Sequence, residues 1–154
     1  MAKPKRPGSH RRVRAAVAPQ YAPEDPPALT GVLLDSDIII EVLRGRRRVV
    51  EALGSLEKAG VPTYCTAISW AEIYACIRPG EEPLTEAFFR ARGEVVLDAV
   101  AGRHAGAYLA RYAGSHGLEL ADALIAAAAA TSGLQLWTQN VRHYPMPDLE
   151  FYEA

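Results

Sequence analysis

The sequence predicts an α/β fold, a parallel sheet with helices on both faces. Two observations carry this. Short apolar runs rich in β-formers alternate with longer segments of helical spacing, the pattern of strands joined by helical crossovers. Each helical segment also runs out at a glycine or a Pro–Gly pair, so the elements are cleanly punctuated.

In order, GVLLD (residues 31–35) is a short buried strand. Residues 36–43 and 49–58 carry helical spacing, with Gly45 and Gly60 as stops. PTYCT (62–66) is a strand, and residues 68–77 form a helix ended by Pro79–Gly80. Residues 84–92 form a helix stopped by Gly93, and EVVLD (94–98) is a strand. Residues 100–115 are helical up to Gly117, and residues 120–131 form an Ala-rich helix ended by Gly133. LQLWT (134–138) is a strand, and LEFY (149–152) is a final edge strand. No internal repeat is visible. Sheets of this class place their sites at the carboxyl ends of strands, where the strand order reverses.

The chain has 154 residues, 49% hydrophobic and 23% charged, which suits one domain able to build a core without disulfides or zinc. Cys65 and Cys76 lack metal or redox spacing and read as small buried apolar residues in a reducing compartment, the cytoplasm. No apolar run reaches the roughly 20 residues of a membrane span.

The net charge of −1 conceals an asymmetry. Lys3, Lys5, Arg6, Arg11, Arg12 and Arg14 precede the first acid, Glu24, and the sequence from Leu29 onward has a net charge near −5. Residues 1–28 are basic and Pro-rich, and are expected to be a disordered extension: a solvated tail, an arm touching RNA, or an artefact of where the gene start was set. Residues 29–154 are the expected domain. That domain is no generic basic nucleic-acid binder, so a polyanionic substrate would require bound metal to offset the carboxylates.

Three acids sit in otherwise uncharged stretches. Asp35 closes the first strand, Glu72 is the only charged residue between Lys58 and Arg78, and Asp122 the only one between Glu119 and Arg142. An unpaired buried carboxylate is very costly, so each needs a cation, a donor or the domain's edge. Asp35 lies at a carboxyl strand end, Glu72 on the stripe of Ile68 and Cys76, and Asp122 in a first helical turn that favours a carboxylate. An oxygen-only set suits Mg²⁺ or Mn²⁺. Plainer roles exist for each: Asp35 as a helix cap, Asp122 as a dipole-favouring residue, Glu72 as a surface glutamate. Asp37 is either a fourth acid at this edge or an ordinary first-turn carboxylate.

LLDSDIIIEVL, SWAEIYA, ELADALIAAAA and WTQNVRHYP, in that order and spacing, resemble the PIN domain, and within it the VapC-like toxins of type II toxin–antitoxin systems. The resemblance covers roughly residues 32–152. It implies a three-layer α/β/α fold with a five-stranded, mostly parallel sheet, and acids gathered around one or two Mg²⁺ or Mn²⁺ ions. Carried over, Asp35, Glu72 and Asp122 are the first three acids. Asn140 falls where many relatives have a fourth acid, and Thr138 matches the family's hydroxyl position. The neutral Asn140 amide weakens any second metal position; a turn after the strand is the plainer role for both residues. His143 reads as structural or exposed.

The resemblance further implies RNA phosphodiester hydrolysis leaving a 5′-phosphate and a 3′-hydroxyl, a homodimer, and a cognate antitoxin. Arg44, Arg46, Arg47 and Arg48 form a basic run that either grips backbone phosphates or is a solvated turn. Two rival functions are a PIN-like binding module without turnover and a haloacid-dehalogenase-type phosphatase built on the DxD of LLDSDI. The phosphatase also needs a later lysine and acidic pair, whereas Lys58 is the only lysine after the extension and the later strand reads WTQN. A dinucleotide-binding module lacks its GxGxxG after the first strand.

Overall fold

The computed structural model describes residues 29–154, and the expected extension over residues 1–28 lies outside them. Four strands, β1 (Val32–Leu34), β2 (Thr63–Thr66), β3 (Gly93–Val95) and β4 (Gln135–Trp137), form one parallel sheet in the order β3-β2-β1-β4. The helices are α1 (Ser36–Leu43), α2 (Arg47–Lys58), α3 (Ala67–Cys76), α4 (Glu82–Arg90), α5 (Ala99–His116) and α6 (Leu120–Ser132), followed by a short 3₁₀ turn at Val141–His143. The order reverses between β1 and β4, which pair from Val32 with Gln135 to Leu34 with Trp137. A crevice is expected at that reversal.

The two faces of the sheet follow from strand alternation. Leu33 and Leu136 point into a core built with α5 and α6. Val32, Leu34, Cys65 and Trp137 point into a second core, packed on α1, α2 and α4. Because both faces are covered, β1 is apolar at every position, and Val32, Leu33 and Leu34 are all fully buried. Ala126 to Ala129 of α6 are wholly inaccessible as well. Four consecutive buried alanines mean that this helix has neighbours all round, and their small side chains let it seat close to the sheet.

The glycines act as the punctuation predicts. Gly117 and Gly133 end α5 and α6 in the left-handed conformation. Gly31 is needed for space as well as conformation, since a Cβ there would lie 2.3 Å from the Pro62 carbonyl oxygen.

Two expectations require correction. The sheet has four strands, not five: LEFY contributes one parallel bridge, Leu136 with Phe151. Leu136 donates to the Glu150 carbonyl and accepts from the Tyr152 amide, a single ladder repeat. Upstream, the Leu149 N–H turns back onto the Met146 carbonyl and cannot extend the ladder. Cys65 is buried as expected, and burial pushes its thiol up to about 12. Cys76, by contrast, is exposed. It ends α3 beside a cavity of about 320 Å³ lined by Ile40, Leu43, Ile73 and Leu84, and its thiol lies 3.4 Å from the Ile73 carbonyl.

The segment after β4 is held by a polar cluster. Tyr108 donates to Asp148 at 2.7 Å, and the His104 Nε2 lies 3.0 Å from the same carboxylate oxygen. Burial alone would raise the Asp148 pKa, but the bonds from Tyr108 and His104 prevail and hold it below the ordinary 3.8. A lowered carboxylate pKa stabilises the fold at pH above the unfolded value and stops doing so as pH falls through the folded one. Asp148→Asn should therefore flatten the decline in melting temperature below about pH 4, measured by circular dichroism melts across the acid range.

Candidate functional site

The carboxyl ends of β1 and β4 bring the sequence-predicted residues to one edge. Asp35 follows β1 directly and caps α1, its Oδ1 accepting from the Ser36 amide at 2.7 Å. The capping role anticipated for this residue is real. It leaves the second oxygen, Oδ2, free for another donor, and the Tyr144 hydroxyl takes it at 2.8 Å. Asp35 is buried, with 7% of its surface exposed, and its backbone N–H is tied to the Trp137 carbonyl across the sheet.

Asp37, in the first turn of α1, faces the loop after β4. Its Oδ2 accepts from the Gln139 amide at 2.9 Å, from the Thr138 hydroxyl at 3.3 Å and from the Asn140 side-chain amide at 3.4 Å. Its Oδ1 is buried and has no partner. Burial, then repulsion from Asp35, pushes the Asp37 carboxyl up to about 6 despite those donors. Asp37 thus lies in the first turn of α1 and also beside Asp35, held by the loop after β4.

Asp122 lies in the first turn of α6 and is half-buried. Burial raises its pKa, followed by repulsion from Asp35; Glu119 and Glu72 add to this, and only His143 opposes it. The His143 Nδ1 is 4.0 Å from the Asp122 Oδ2. Glu72, on α3, is exposed and joins the edge indirectly, accepting a hydrogen bond from the Ser36 hydroxyl. Asp35 is the common neighbour of Asp37, Asp122 and Tyr144, and the anions repel one another across this edge.

Among the described residues, no three Asp, Glu, His or Cys side chains close into a ready ligand set. The donor chemistry nevertheless fits a hard divalent cation: mutually repelling carboxylates and one buried carboxylate oxygen without a partner. The edge is open, and none of these acids lines the 320 Å³ cavity.

The arginine run lies elsewhere. It starts at the C-cap of α1, a helix of eight residues, or about 12 Å at 1.5 Å per residue, from Asp35. Arg44 and Arg46 pair with Glu41, Arg47 pairs with Glu51 at 2.7 Å, and Arg48 donates to the Ala154 carbonyl. Such exposed pairs contribute roughly 0–1 kcal/mol. Arg47→Ala should therefore shift the urea midpoint only slightly.

A PIN-domain family profile matches residues 32–148. The chain belongs to the PIN-domain family. Among curated proteins, this PIN domain is 35% identical over 120 residues to ribonuclease VapC19 of Mycobacterium tuberculosis, covering 77% of this chain and 96% of that one. It is 36% identical over 116 residues to ribonuclease VapC10 of the same species, covering 75% and 86%. Among solved structures, VapBC2 of Rickettsia felis bound to a promoter DNA fragment superposes with a TM-score of 0.67 at 19% identity, covering 79% of this chain and 96% of that one. FitAcB of Neisseria gonorrhoeae superposes at 0.59 with 29% identity and the same coverage. Membership disposes of the haloacid-dehalogenase and dinucleotide-binding alternatives.

Three residues of this PIN domain's edge had no assigned role in the sequence. Tyr144 stands inside the WTQNVRHYP motif, but nothing local shows that its hydroxyl meets Asp35. His143 reads from the sequence as an isolated histidine, and in the fold it is a basic group beside Asp122. Ser36 carries the only sequence signal that could have been used, a hydroxyl directly after the first acid.

Proposed function

We propose that this PIN domain is a metal-dependent endoribonuclease, the toxin of a toxin–antitoxin pair, acting in the cytoplasm. The observation that carries the reading is the crowding of Asp35, Asp37 and Asp122 at the β1–β4 edge, with one buried carboxylate oxygen lacking a partner. Identity of about 35% to two ribonucleases over most of both chains supports it.

Asp35 and Asp122 would hold Mg²⁺ or Mn²⁺, with Glu72, the free Asp37 oxygen and the Asn140 amide oxygen as further donors. When bound, such a cation supplies Lewis acidity and neutralises charge on the phosphate. The chain's own residues do the rest. The Gln139 amide and Thr138 hydroxyl fix Asp37 from the β4 side. Glu72, accessible and held by Ser36, would orient an attacking water and receive its proton on a carboxylate oxygen. In-line attack on phosphorus would leave a 5′-phosphate and a 3′-hydroxyl.

The proposal includes a cognate antitoxin, a homodimer, and phosphate contacts from Arg44, Arg46, Arg47 and Arg48. Purified protein should cleave single-stranded RNA with Mg²⁺ or Mn²⁺ and stop on chelation. Expression alone should arrest growth, and co-expression of the adjacent small gene product should restore it. Metal binding without cleavage of any RNA would instead make the chain a PIN-like binding module.

A further inference from the structure

We infer that Tyr144 is a positioning residue for Asp35, fixing through its hydroxyl the carboxylate around which the acidic edge is organised. The inference deepens the proposed function and concerns the same edge.

Tyr144 is 3% exposed, and its ring packs within the α5–α6 core, edge-on to Phe151 at 6.5 Å. A phenylalanine would fill that space equally well. The hydroxyl is therefore the part that packing does not explain, and a buried tyrosine hydroxyl needs a partner. Its partner is the Asp35 Oδ2 at 2.8 Å, 109 positions away in sequence. The Asp35 Oδ1 is already bound by the Ser36 amide. One donor on each oxygen fixes the plane of the carboxylate and leaves a lone pair on each for other contacts. Carboxylates that ligate metals are usually held by hydrogen bonds of this kind, and loss of the supporting donor typically lowers metal affinity or activity about 10–100-fold.

The contact also joins two separate parts of the fold. Asp35 is set by β1 and the start of α1. Tyr144 is set by the segment after β4, which Met146 and Leu149 anchor in the core. The hydroxyl thus carries the alignment of one segment to the acid of the other.

Tyr108 supplies a matched control. It too is buried, and its hydroxyl donates to an aspartate, Asp148, at 2.7 Å. That pair touches none of the acids of the edge.

The test compares wild type, Tyr144→Phe and Tyr108→Phe by calorimetric titration with Mn²⁺ alone, by thermal melts, and by steady-state cleavage of a single-stranded RNA. Tyr144→Phe should lower Mn²⁺ affinity and kcat about 10–100-fold with KM for RNA nearly unchanged. Tyr108→Phe, which loosens the same segment without touching Asp35, should lower the melting temperature while changing Mn²⁺ affinity and kcat far less than Tyr144→Phe does. Wild-type affinity and kcat in Tyr144→Phe would overturn the inference, as would an equal loss of affinity in both variants. Wild-type protein that binds Mn²⁺ but cuts no RNA would sink the nuclease reading only, and the affinity comparison would still decide the role of Tyr144. A wild type that binds no Mn²⁺ would overturn both.

Discussion

Asp35→Asn should leave the protein folded and steeply lower the RNA cleavage proposed for it. Asparagine caps a helix as well as aspartate does, so its Oδ1 retains the bond from the Ser36 amide. Its amide group can donate to the Tyr144 oxygen, which reverses the direction of that bond and keeps the two side chains paired. What the variant loses is a negative charge, and with it the attraction for a divalent cation. Losing one such electrostatic group typically costs about 10²–10³ in kcat. Stability should hold or rise in the absence of metal, because Asp35 repels both Asp37 and Asp122. Gel-resolved RNA cleavage with Mg²⁺ and a circular dichroism melt on the same samples provide the check. A variant that cuts at the wild-type rate would dismantle the proposed site.

Ala127→Leu strikes the fold instead. Ala127 is wholly inaccessible within α6 and belongs to the core that α6 shares with α5 and the sheet residues Leu33 and Leu136. A leucine in so fully buried a position overpacks the core, which costs about 1–3 kcal/mol, sometimes more. Relief requires α6 to move away from the sheet, and α6 carries Asp122 in its first turn. The urea midpoint should fall with an unchanged slope, and cleavage should fall with it. An unaltered midpoint would mean that α6 does not seat as closely as described.

Much of this arrangement was legible in the sequence because its signals are local. Glycine stops and apolar runs placed every helix, with ends differing by one or two residues, as at Arg47–Lys58 against an expected start at 49. Asp35, Glu72 and Asp122 stood out because their neighbours are uncharged. Asp37 remained ambiguous because its partners, Thr138 and Gln139, lie more than 100 positions downstream. The Tyr144 hydroxyl was invisible for the same reason: a tyrosine and a phenylalanine make the same hydrophobic pattern. The fifth strand misled because LEFY has strand composition, whereas the turn at Met146–Leu149 allows it only one bridge. Cys76 misled because a cysteine at a helix end carries no periodic signal for its face.

The pairing of β1 with β4 has a consequence for the moment of synthesis. The first acid leaves the ribosome early, while the strand beside it and the tyrosine that fixes it follow about a hundred residues later. A nascent chain therefore displays the carboxylates without the frame that aligns them. The acidic edge is thus completed only when the late segment docks against the early one.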